Sequence, residues 1–380
     1  MNFQAYPFEK LNDLLKEIEP NRDYSPCVLT IGEPQFQTPK FIQEALCQNS
    51  SLLQKYPKTS GEPSLKIAQR NFFKKRFGVD LKDEQIIPTF GTREVLFNFP
   101  QFLLFDKENS TMAFTNPFYQ IYEGAAIATR SKTIYLNLDA SNNFKPKIDE
   151  NELKKCDLVI LNFPNNPTAS TLSLDELGEW VLLSLKHDFV LLNDECYSEI
   201  YTDEKIPSLL EASIYVKNLN FKNILVINSI SKRSSAPGLR SGFIAGDEKI
   251  LKEYMKYRTY IGCASPLPLQ SAAAAAWSDE KHVEISRDIY KKNFEIAKEI
   301  LKSDIAKATF YIWLKVEQSL EFTKKLYKNY NVKVLPGEFL ARVDASGENP
   351  GKDFVRIALV ENEEKTRDAL IKIKECLDAT

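Results

Sequence analysis

The sequence predicts an α/β protein with a mainly parallel sheet. From about residue 110 to residue 246, short apolar runs alternate with stretches of helical periodicity. This alternation is typical of parallel strands joined by crossover helices. Polar or glycine-containing motifs follow several of these runs, at the strand ends where open α/β sheets bind ligands. The 380 residues are enough for one large domain and a second, smaller one.

Six apolar runs are the candidate strands of the large domain. They cover residues 85–88, 112–115, 158–163, 189–193, 224–229 and 242–245. Helices are expected between several of them. Ser173, followed by Glu176 three residues later, forms a capping box that opens one helix. The alanines at 272–276 favour another helix, because alanine has the highest helix propensity.

A break near residues 263–268 precedes a second α/β region. Long helical patterns run from the break to about residue 302. The elements expected after them are a strand at 310–316, a helix at 320–330, strands at 332–335 and 354–359, and a helix at 363–377. We therefore predict a large domain of residues 46–265. Residues 1–45 and 266–380 are predicted to form the smaller domain, which includes the N-terminal segment.

Composition excludes several classes of function. A formal net charge of -2 attracts neither nucleic acid nor an anionic membrane, and no apolar run is long enough to span a bilayer. The six cysteines are scattered and the chain has only two histidines, so no metal site is expected. The first ten residues lack the basic and apolar regions of a signal peptide. We expect a cytoplasmic protein.

Polar groups suited to a single ligand follow five successive predicted strands. In chain order these are Gly91 with Thr92, Tyr119, Asn166, Asp194 and Lys232. Because the carboxyl ends of parallel strands meet at one edge of the sheet, the groups are expected to lie together. The agreement of five strand ends is a stronger signal than any one motif.

These groups match what pyridoxal 5′-phosphate (PLP) requires of a protein. Lys232 would form a Schiff base with the cofactor and, once released, would move the substrate's α-proton. Asp194 would pair with the pyridine N–H. Asn166 and Tyr197 would donate to the phenolic oxygen, and Tyr119 would stack on the ring.

The phosphate of this cofactor would be held by backbone and side-chain donors. Gly91 and Thr92 open a helix, whose N-terminus favours an anion. Ser229 and Arg240 would complete the phosphate cup, since arginine can bind phosphate with two hydrogen bonds. The neighbouring residues Arg93 and Ser231 are also assigned to cofactor binding.

Each of these residues also has an ordinary structural explanation. Asp194 could end a strand in a turn, Tyr119 could be a core aromatic, and Arg240 could form a surface ion pair. Arg356 lies in the apolar stretch F-V-R-I-A-L, where a charge is rarely buried without a partner. Its partner is either the carboxylate of a substrate or a structural Asp or Glu.

With these motifs, nearly the whole chain resembles the class I/II aminotransferases of PLP fold type I. The resemblance rests further on I-G-E-P (31–34), K-Y-P-K-T-S-G-E-P-S-L (55–65), N-P-F-Y (116–119) and V-L-P-G-E-F (334–339). It implies a mainly parallel seven-stranded sheet in an α/β/α sandwich, plus the smaller α/β domain. It also implies that Gly32, Asn166 and Arg356 bind the substrate. Tyr56 would reach the phosphate of a neighbouring subunit, which implies a homodimer.

Several stretches are similar to bacterial N-succinyldiaminopimelate aminotransferases, among them G-T-R-E-V-L-F (91–97) and D-E-C-Y-S-E-I-Y (194–201). This implies a ping-pong transfer of an amino group between N-succinyl-LL-2,6-diaminopimelate and 2-oxoglutarate, in lysine biosynthesis. An aspartate or aromatic aminotransferase and a PLP-dependent C–S lyase remain alternatives. A PLP-sensing transcription regulator would need an added DNA-binding domain. Arg93, Arg233 and Arg342 are candidates for binding the succinyl group.

Overall fold

The computed structural model describes residues 3–379 as a chain of alternating helices and strands. The helices are α1 (Pro7–Leu15), α2 (Lys40–Gln48), α3 (Pro63–Phe77), α4 (Thr92–Leu104), α5 (Ile121–Thr129), α6 (Glu150–Leu153), α7 (Leu174–His187), α8 (Leu209–Tyr215), α9 (Ile230–Arg233), α10 (Glu248–Ile261), α11 (Leu267–Ser278), α12 (Lys281–Leu301), α13 (Ser319–Tyr330) and α14 (Glu363–Asp378). The strands are β1 (Cys27–Val28), β2 (Ile86–Thr89), β3 (Thr111–Asn116), β4 (Lys132–Asn137), β5 (Leu158–Leu161), β6 (Val190–Asp194), β7 (Ile224–Ser229), β8 (Gly242–Gly246), β9 (Tyr311–Lys315), β10 (Val332–Lys333), β11 (Leu335–Pro336) and β12 (Phe354–Ala358).

A seven-stranded sheet forms the centre of the large domain. Its order is β2-β8-β7-β6-β5-β3-β4, and β8 alone runs against the others. The predicted mainly parallel sheet is therefore confirmed. Because β8 is reversed, its amino end lies at the same edge as the carboxyl ends of β2, β3, β5, β6 and β7. Arg240, two residues before β8, is thereby brought to the edge where the other motifs lie.

Helices cover both faces of this sheet. Along β5 the side chains alternate: Leu158 and Ile160 pack into one apolar cluster, and Val159 and Leu161 into another. The first cluster includes residues of α4, α5 and α10, and the second includes residues of α3, α7, α8 and α11. A sheet buried on both faces explains the unbroken apolar runs of its strands. The α/β/α sandwich is confirmed.

The smaller α/β region is built around β9, β11 and β12, which form an antiparallel sheet. The N-terminal segment joins this region, because β1 pairs in parallel with β10. Residues of α12, α13 and α14 fill its core. The domain limits at residues 46 and 265 stay a prediction. Helix α11, which begins just after the second limit, packs against α2 and α3. Within residues 3–379, no helix is long and apolar enough to cross a membrane.

Some predicted elements differ from the observed ones. The capping box of α7 is confirmed, since Ser173 Oγ accepts from the N–H of Glu176 at 3.2 Å. The sequence pattern missed β4, an edge strand that is mostly half-exposed and begins with polar residues. The predicted strand 332–335 is two strands in different sheets. The strand predicted at 158–163 ends at Leu161. The N–H of Phe163 donates to the Asn193 side chain, not to the backbone of a neighbouring strand.

Candidate active site

A cleft of about 860 Å³ opens at the carboxyl edge of the large sheet. Most of the residues predicted from the strand ends and the substrate motifs line it. They are Gly32, Thr92, Arg93, Tyr119, Asn166, Asp194, Tyr197, Ser229, Ser231, Lys232, Arg240 and Arg356. Gly91 caps the adjoining helix α4. Tyr56 lies outside the cleft of its own chain.

Lys232 lies on the short helix α9, directly after β7. Ser229 caps this helix, since its Oγ accepts from the N–H of Ser231 at 3.1 Å. The Nζ of Lys232 donates to the backbone carbonyl of Gly32. No carboxylate among residues 3–379 forms an ion pair with Lys232. The amine is therefore held in the cleft by a neutral acceptor, which leaves it free to react.

Asp194 ends β6 and is 5% exposed. Its two carboxylate oxygens accept from the O–H of Tyr122 at 3.0 Å and from the N–H of Cys196 at 3.2 Å. Burial raises the pKa of Asp194, while these hydrogen bonds and the charge on Lys232 act in the opposite direction. A cationic N–H group in the cleft would stabilise the ionised carboxylate.

Asn166 and Tyr197 present polar atoms to the same cleft. The hydroxyl groups of Tyr197 and Tyr311 are 2.9 Å apart. The side-chain oxygen of Asn166 accepts from Nη1 of Arg356 at 2.8 Å. The side-chain amide N–H₂ of Asn166 has no protein acceptor among residues 3–379. These groups can therefore donate to an oxygen of a bound ligand.

The N-terminus of α4 and Arg240 form a cradle for an anion. Gly91 has φ +76°, and a Cβ added there would lie 2.2 Å from Nη2 of Arg240, so only glycine fits. Arg240 donates from Nη1 to the Pro237 carbonyl at 2.8 Å. Among the described residues Arg240 has no carboxylate partner. The surface ion pair that was considered as its structural explanation is therefore not observed there. The Oγ atoms of Ser229 and Ser231, 2.8 Å apart, lie on the same cleft.

Arg356 is 4% exposed, in the middle of β12. Its Nη2 donates to the Thr30 carbonyl at 2.5 Å, and its guanidinium lies 4.5 Å from the ring centroid of Tyr311. Its Nε is buried without a hydrogen-bond partner. No Asp or Glu among residues 3–379 pairs with Arg356, so the structural carboxylate considered as its alternative partner is absent there. A buried guanidinium whose hydrogen bonds are incomplete has the charge and the donor needed to bind a carboxylate.

The three arginines considered for binding the succinyl group have different partners in the structure. Arg233 is buried and pairs with Glu280 at 2.6 Å. Arg342 binds both carboxylate oxygens of Glu123, at 2.8 Å and 2.6 Å. Arg93 lines the cleft and donates from Nε to the hydroxyl of Tyr119 at 2.8 Å. Its two terminal nitrogens have no partner among residues 3–379. Of the three arginines, Arg93 is the one that lines the cleft and can offer donors to a ligand there.

Comparison with known proteins agrees with this geometry. The sequence profile of the family "Aminotransferase class I and II" matches residues 26–373. The chain belongs to this aminotransferase family. The aminotransferase is 30% identical to the LL-diaminopimelate aminotransferase of Natranaerobius thermophilus, over 98% of this chain and 97% of that protein.

Solved structures extend the likeness to the complete fold of the aminotransferase. The crystal structure of aminotransferase AspB from Helicobacter pylori 26695 superposes with a TM-score of 0.97, at 50% identity and over 100% of both chains. An aminotransferase from Neisseria meningitidis Z2491 superposes with a TM-score of 0.94, at 39% identity, over 99% of this chain and 98% of that chain. The fold is therefore PLP fold type I, and the aminotransferase is PLP-dependent.

The residues present fit this cofactor. A buried carboxylate, a lysine, and a glycine cradle beside an arginine converge on one cleft, and neither the lysine nor the arginine has an acidic partner within residues 3–379. These groups are the ones that a protonated ring nitrogen, an aldehyde and a phosphate need.

Sequence reasoning missed three residues that contact the predicted ones. Tyr122 donates to Asp194, and Asn162 donates to the Asp194 carbonyl at 2.9 Å. Tyr311 contacts Tyr197 and Arg356. Tyr122 follows the predicted residue Tyr119 by three positions, at the start of α5, and this closeness in the sequence could have revealed it. Tyr311 begins an apolar strand, where its sequence neighbours carry no signal.

Proposed function

We propose that the aminotransferase transfers an amino group between N-succinyl-LL-2,6-diaminopimelate and 2-oxoglutarate by a ping-pong reaction. The observation that carries this proposal is the charge of the cleft. Four cationic side chains line it, and its lining acidic residues, Glu94 and Asp194, are both already engaged. Such a site favours substrates that bring carboxylates at both ends.

Each of the cleft residues is proposed to have its own role in the reaction. Bound PLP supplies an electron sink that makes the α-proton of an amino acid acidic. Lys232 holds the cofactor through its Nζ and, when released, moves the proton at the substrate Cα. Asp194 holds a proton at the ring nitrogen. Asn166 and Tyr197 would hold the phenolic oxygen by donating to it, and Tyr119 would support the ring.

Arg356 is proposed to bind the α-carboxylate of the reacting amino acid. Its planar fork can make two charge-assisted hydrogen bonds to a carboxylate. Asn166 and the Thr30 carbonyl already orient the guanidinium. Gly32 lies beside this point, and a Cβ there would meet the Tyr311 hydroxyl at 1.7 Å. The absence of a side chain at Gly32 therefore lets the Tyr311 ring pack closely against this backbone, beside Arg356.

Arg93 is proposed to bind the distal carboxylate of the substrate. It is the candidate arginine with free terminal nitrogens on the cleft, and its flanking neighbours are the aromatic rings of Tyr6 and Tyr119. Glu94 is paired with Arg258 at 2.8 Å and accepts from the Phe90 N–H at 2.7 Å. The distal ammonium of free diaminopimelate would find no unpaired acid on this lining. Succinylation replaces that ammonium with a neutral amide and a carboxylate.

The diaminopimelate skeleton is supported by the relatives. Several proteins 27–30% identical to this chain are named LL-diaminopimelate aminotransferases. These names favour free LL-diaminopimelate as the second candidate substrate. No disulfide joins the cysteines of residues 3–379, and this supports a reducing compartment and hence a cytoplasmic enzyme.

A panel of amino donors with 2-oxoglutarate, followed by glutamate formation, tests the substrate. We expect the highest kcat/KM for N-succinyl-LL-2,6-diaminopimelate, ahead of free LL-diaminopimelate, aspartate and phenylalanine. A higher kcat/KM for any of these three would reject the proposed substrate while keeping the reaction. Pyruvate release from a thioether amino acid, without glutamate formation, would instead favour the C–S lyase.

Arg93→Gln is expected to lower kcat/KM for the succinylated donor. Loss of a charge-assisted hydrogen bond of about 1.5–3 kcal/mol corresponds to roughly 10- to 150-fold, and partial exposure of Arg93 places the effect near the lower end. The α-amino acid alanine has no distal carboxylate and should lose much less kcat/KM, because its only loss would come through Tyr119, which accepts from Arg93 Nε. Arg367→Gln, on the surface and paired with Glu299, is the matched control. Equal losses for alanine and the succinylated donor would contradict a distal role.

A homodimer with shared sites is proposed, in which Tyr56 reaches the phosphate in the partner's cleft. Tyr56 is fully exposed on the isolated chain, and its segment is tied to the fold where Thr59 accepts from Arg258 at 3.2 Å. Mixing Tyr56→Phe subunits with Lys232→Ala subunits should give hybrids that hold one intact site and one doubly altered site. Activity should therefore recover toward that of one site per dimer. A monomer in sedimentation experiments, or verified hybrids without recovery, would contradict the shared site.

A further inference from the structure

A hydrogen-bond chain behind the cleft joins the segment that carries Lys232 to the junction of α11 and α12. The Oγ of Ser234 lies 2.9 Å from Nε2 of His282, and Nδ1 of His282 lies 2.6 Å from a carboxylate oxygen of Asp279. The carboxylate accepts the proton on Nδ1, so Nε2 is the acceptor and the Ser234 hydroxyl donates to it. Burial and the charge on Arg233 lower the pKa of His282, while Asp279 opposes them. A neutral imidazole fits this arrangement.

Ser, His and Asp in hydrogen-bond sequence are also the parts of a hydrolytic triad. Ser234 is 1% exposed and does not line the cleft. A nucleophile must reach its substrate, and this hydroxyl is buried against the imidazole. The chain of hydrogen bonds therefore has a positioning role instead of a nucleophilic one.

The residue before Ser234 is tied to the same junction. Arg233 is 1% exposed, and its guanidinium lies 5.1 Å from the ring centroid of Phe72 and 4.8 Å from that of Trp277. Its Nη1 donates to the Ala276 carbonyl at 3.1 Å, and its Nη2 pairs with Glu280 at 2.6 Å. The two residues that directly follow Lys232 are thus both attached to residues 276–282.

This junction connects the two parts of the molecule. Helix α11 packs against α2 and α3, next to the large sheet, whereas α12 packs against α14 in the smaller region. Lys232 lies on α9, a helix of four residues, which has little rigidity of its own. Its backbone position is therefore determined by the contacts that hold the end of α9.

We propose that the Ser234–His282–Asp279 chain positions Lys232 for proton transfer. The inference rests on the proposed role of Lys232. Neither Ser234 nor His282 is among the residues that line the cleft, so both would act through the lysine. A shift of about 1 Å in a reacting group can cost roughly 100-fold in rate, so a small movement of α9 is enough to matter.

Ser234→Ala and His282→Phe test the proposal, since each removes hydrogen bonds and the phenylalanine keeps a ring beside Phe41. We expect kcat to fall by about 10-fold, while KM for the amino donor changes by less than about twofold. The midpoint of the pH titration of the bound cofactor's visible absorption should also move. His282→Gln keeps a polar group and should recover part of kcat. His187→Phe, where the histidine pairs with Glu150 away from the cleft, is the control.

Wild-type kcat and an unchanged absorption titration in both Ser234→Ala and His282→Phe would overturn the proposal, even if the melting temperature fell. In that case the chain of hydrogen bonds only stabilises the fold. If His282→Phe fails to fold, Ser234→Ala, the smaller change, decides alone. Failure of the proposed role of Lys232 gives a different result, because borohydride reduction of the wild-type enzyme would then not attach the cofactor to Lys232. Failure of the proposed substrate changes only which amino donor is used to measure kcat.

Discussion

Lys232→Ala is expected to abolish turnover and to leave the fold intact. Lys232 lies in the cleft with a neutral acceptor and no acidic partner among residues 3–379, so its removal breaks no ion pair there. Asp194, which feels the charge on Lys232, keeps its hydrogen bonds from Tyr122 and Cys196. The loss should exceed roughly 10⁴-fold, because a positioned acid–base group contributes about 10²–10⁴-fold and covalent attachment of the cofactor adds to this. The measurement is kcat for the succinylated donor at saturating cofactor.

Chemical labelling separates this result from a general loss of structure. Borohydride reduction of the wild-type enzyme should attach the cofactor permanently to the peptide that contains Lys232. Lys249→Ala, a change at an exposed lysine of α10, should leave both labelling and turnover unchanged. Labelling of a different lysine, or residual turnover of Lys232→Ala within about 100-fold of wild type, would contradict the assignment.

Asp194→Ala is expected to have the second-largest effect. The carboxylate is buried at the end of β6, and its loss removes the group that holds a proton at the ring nitrogen. Breaking a buried charge pair costs about 3–5 kcal/mol, which corresponds to roughly 10²–10⁴-fold in kcat. Asp194→Glu keeps the charge and should retain more activity. Exchange of the substrate α-proton with solvent, followed by NMR, measures the affected step directly.

Tyr122→Phe is the matched comparison for Asp194→Ala. It removes one hydrogen bond to the carboxylate, at 3.0 Å, and leaves the charge in place. A loss of about 1 kcal/mol, or roughly fivefold, is expected. Near-normal proton exchange in Asp194→Ala, with full cofactor occupancy, would show that another group pairs with the ring nitrogen.

The strand-end motifs could be predicted because they depend on short-range patterns. An apolar run followed by a polar group specifies a buried strand and its end, and parallel strands bring such ends together. Asn166, Asp194 and Lys232 were placed correctly on the cleft by this reasoning alone. Edge strand β4 was not predicted in this way, because a half-exposed strand lacks a continuous apolar run.

Long-range contacts could not be predicted in the same way. Arg93, Arg233 and Arg342 were equivalent candidates in the sequence, since a side chain's partner depends on residues far along the chain. Arg342 is paired with a residue 219 positions away, and Arg233 with one 47 positions away. The terminal nitrogens of Arg93 have no partner among residues 3–379. Tyr311 was missed for the same reason, because its hydroxyl contacts that of Tyr197, which is distant in the sequence. Tyr311 belongs to the smaller region.

The sequence by itself determined the fold class, the strand ends that carry polar groups and the chemistry that those groups suit. These follow from local periodicity and residue type. The tertiary structure alone decided that β8 is reversed, which brings Arg240 to the common edge, and that Arg356 is buried with no acidic partner among residues 3–379. Strand direction and the pairing of charges depend on packing between distant segments, and no neighbouring residue in the sequence encodes them.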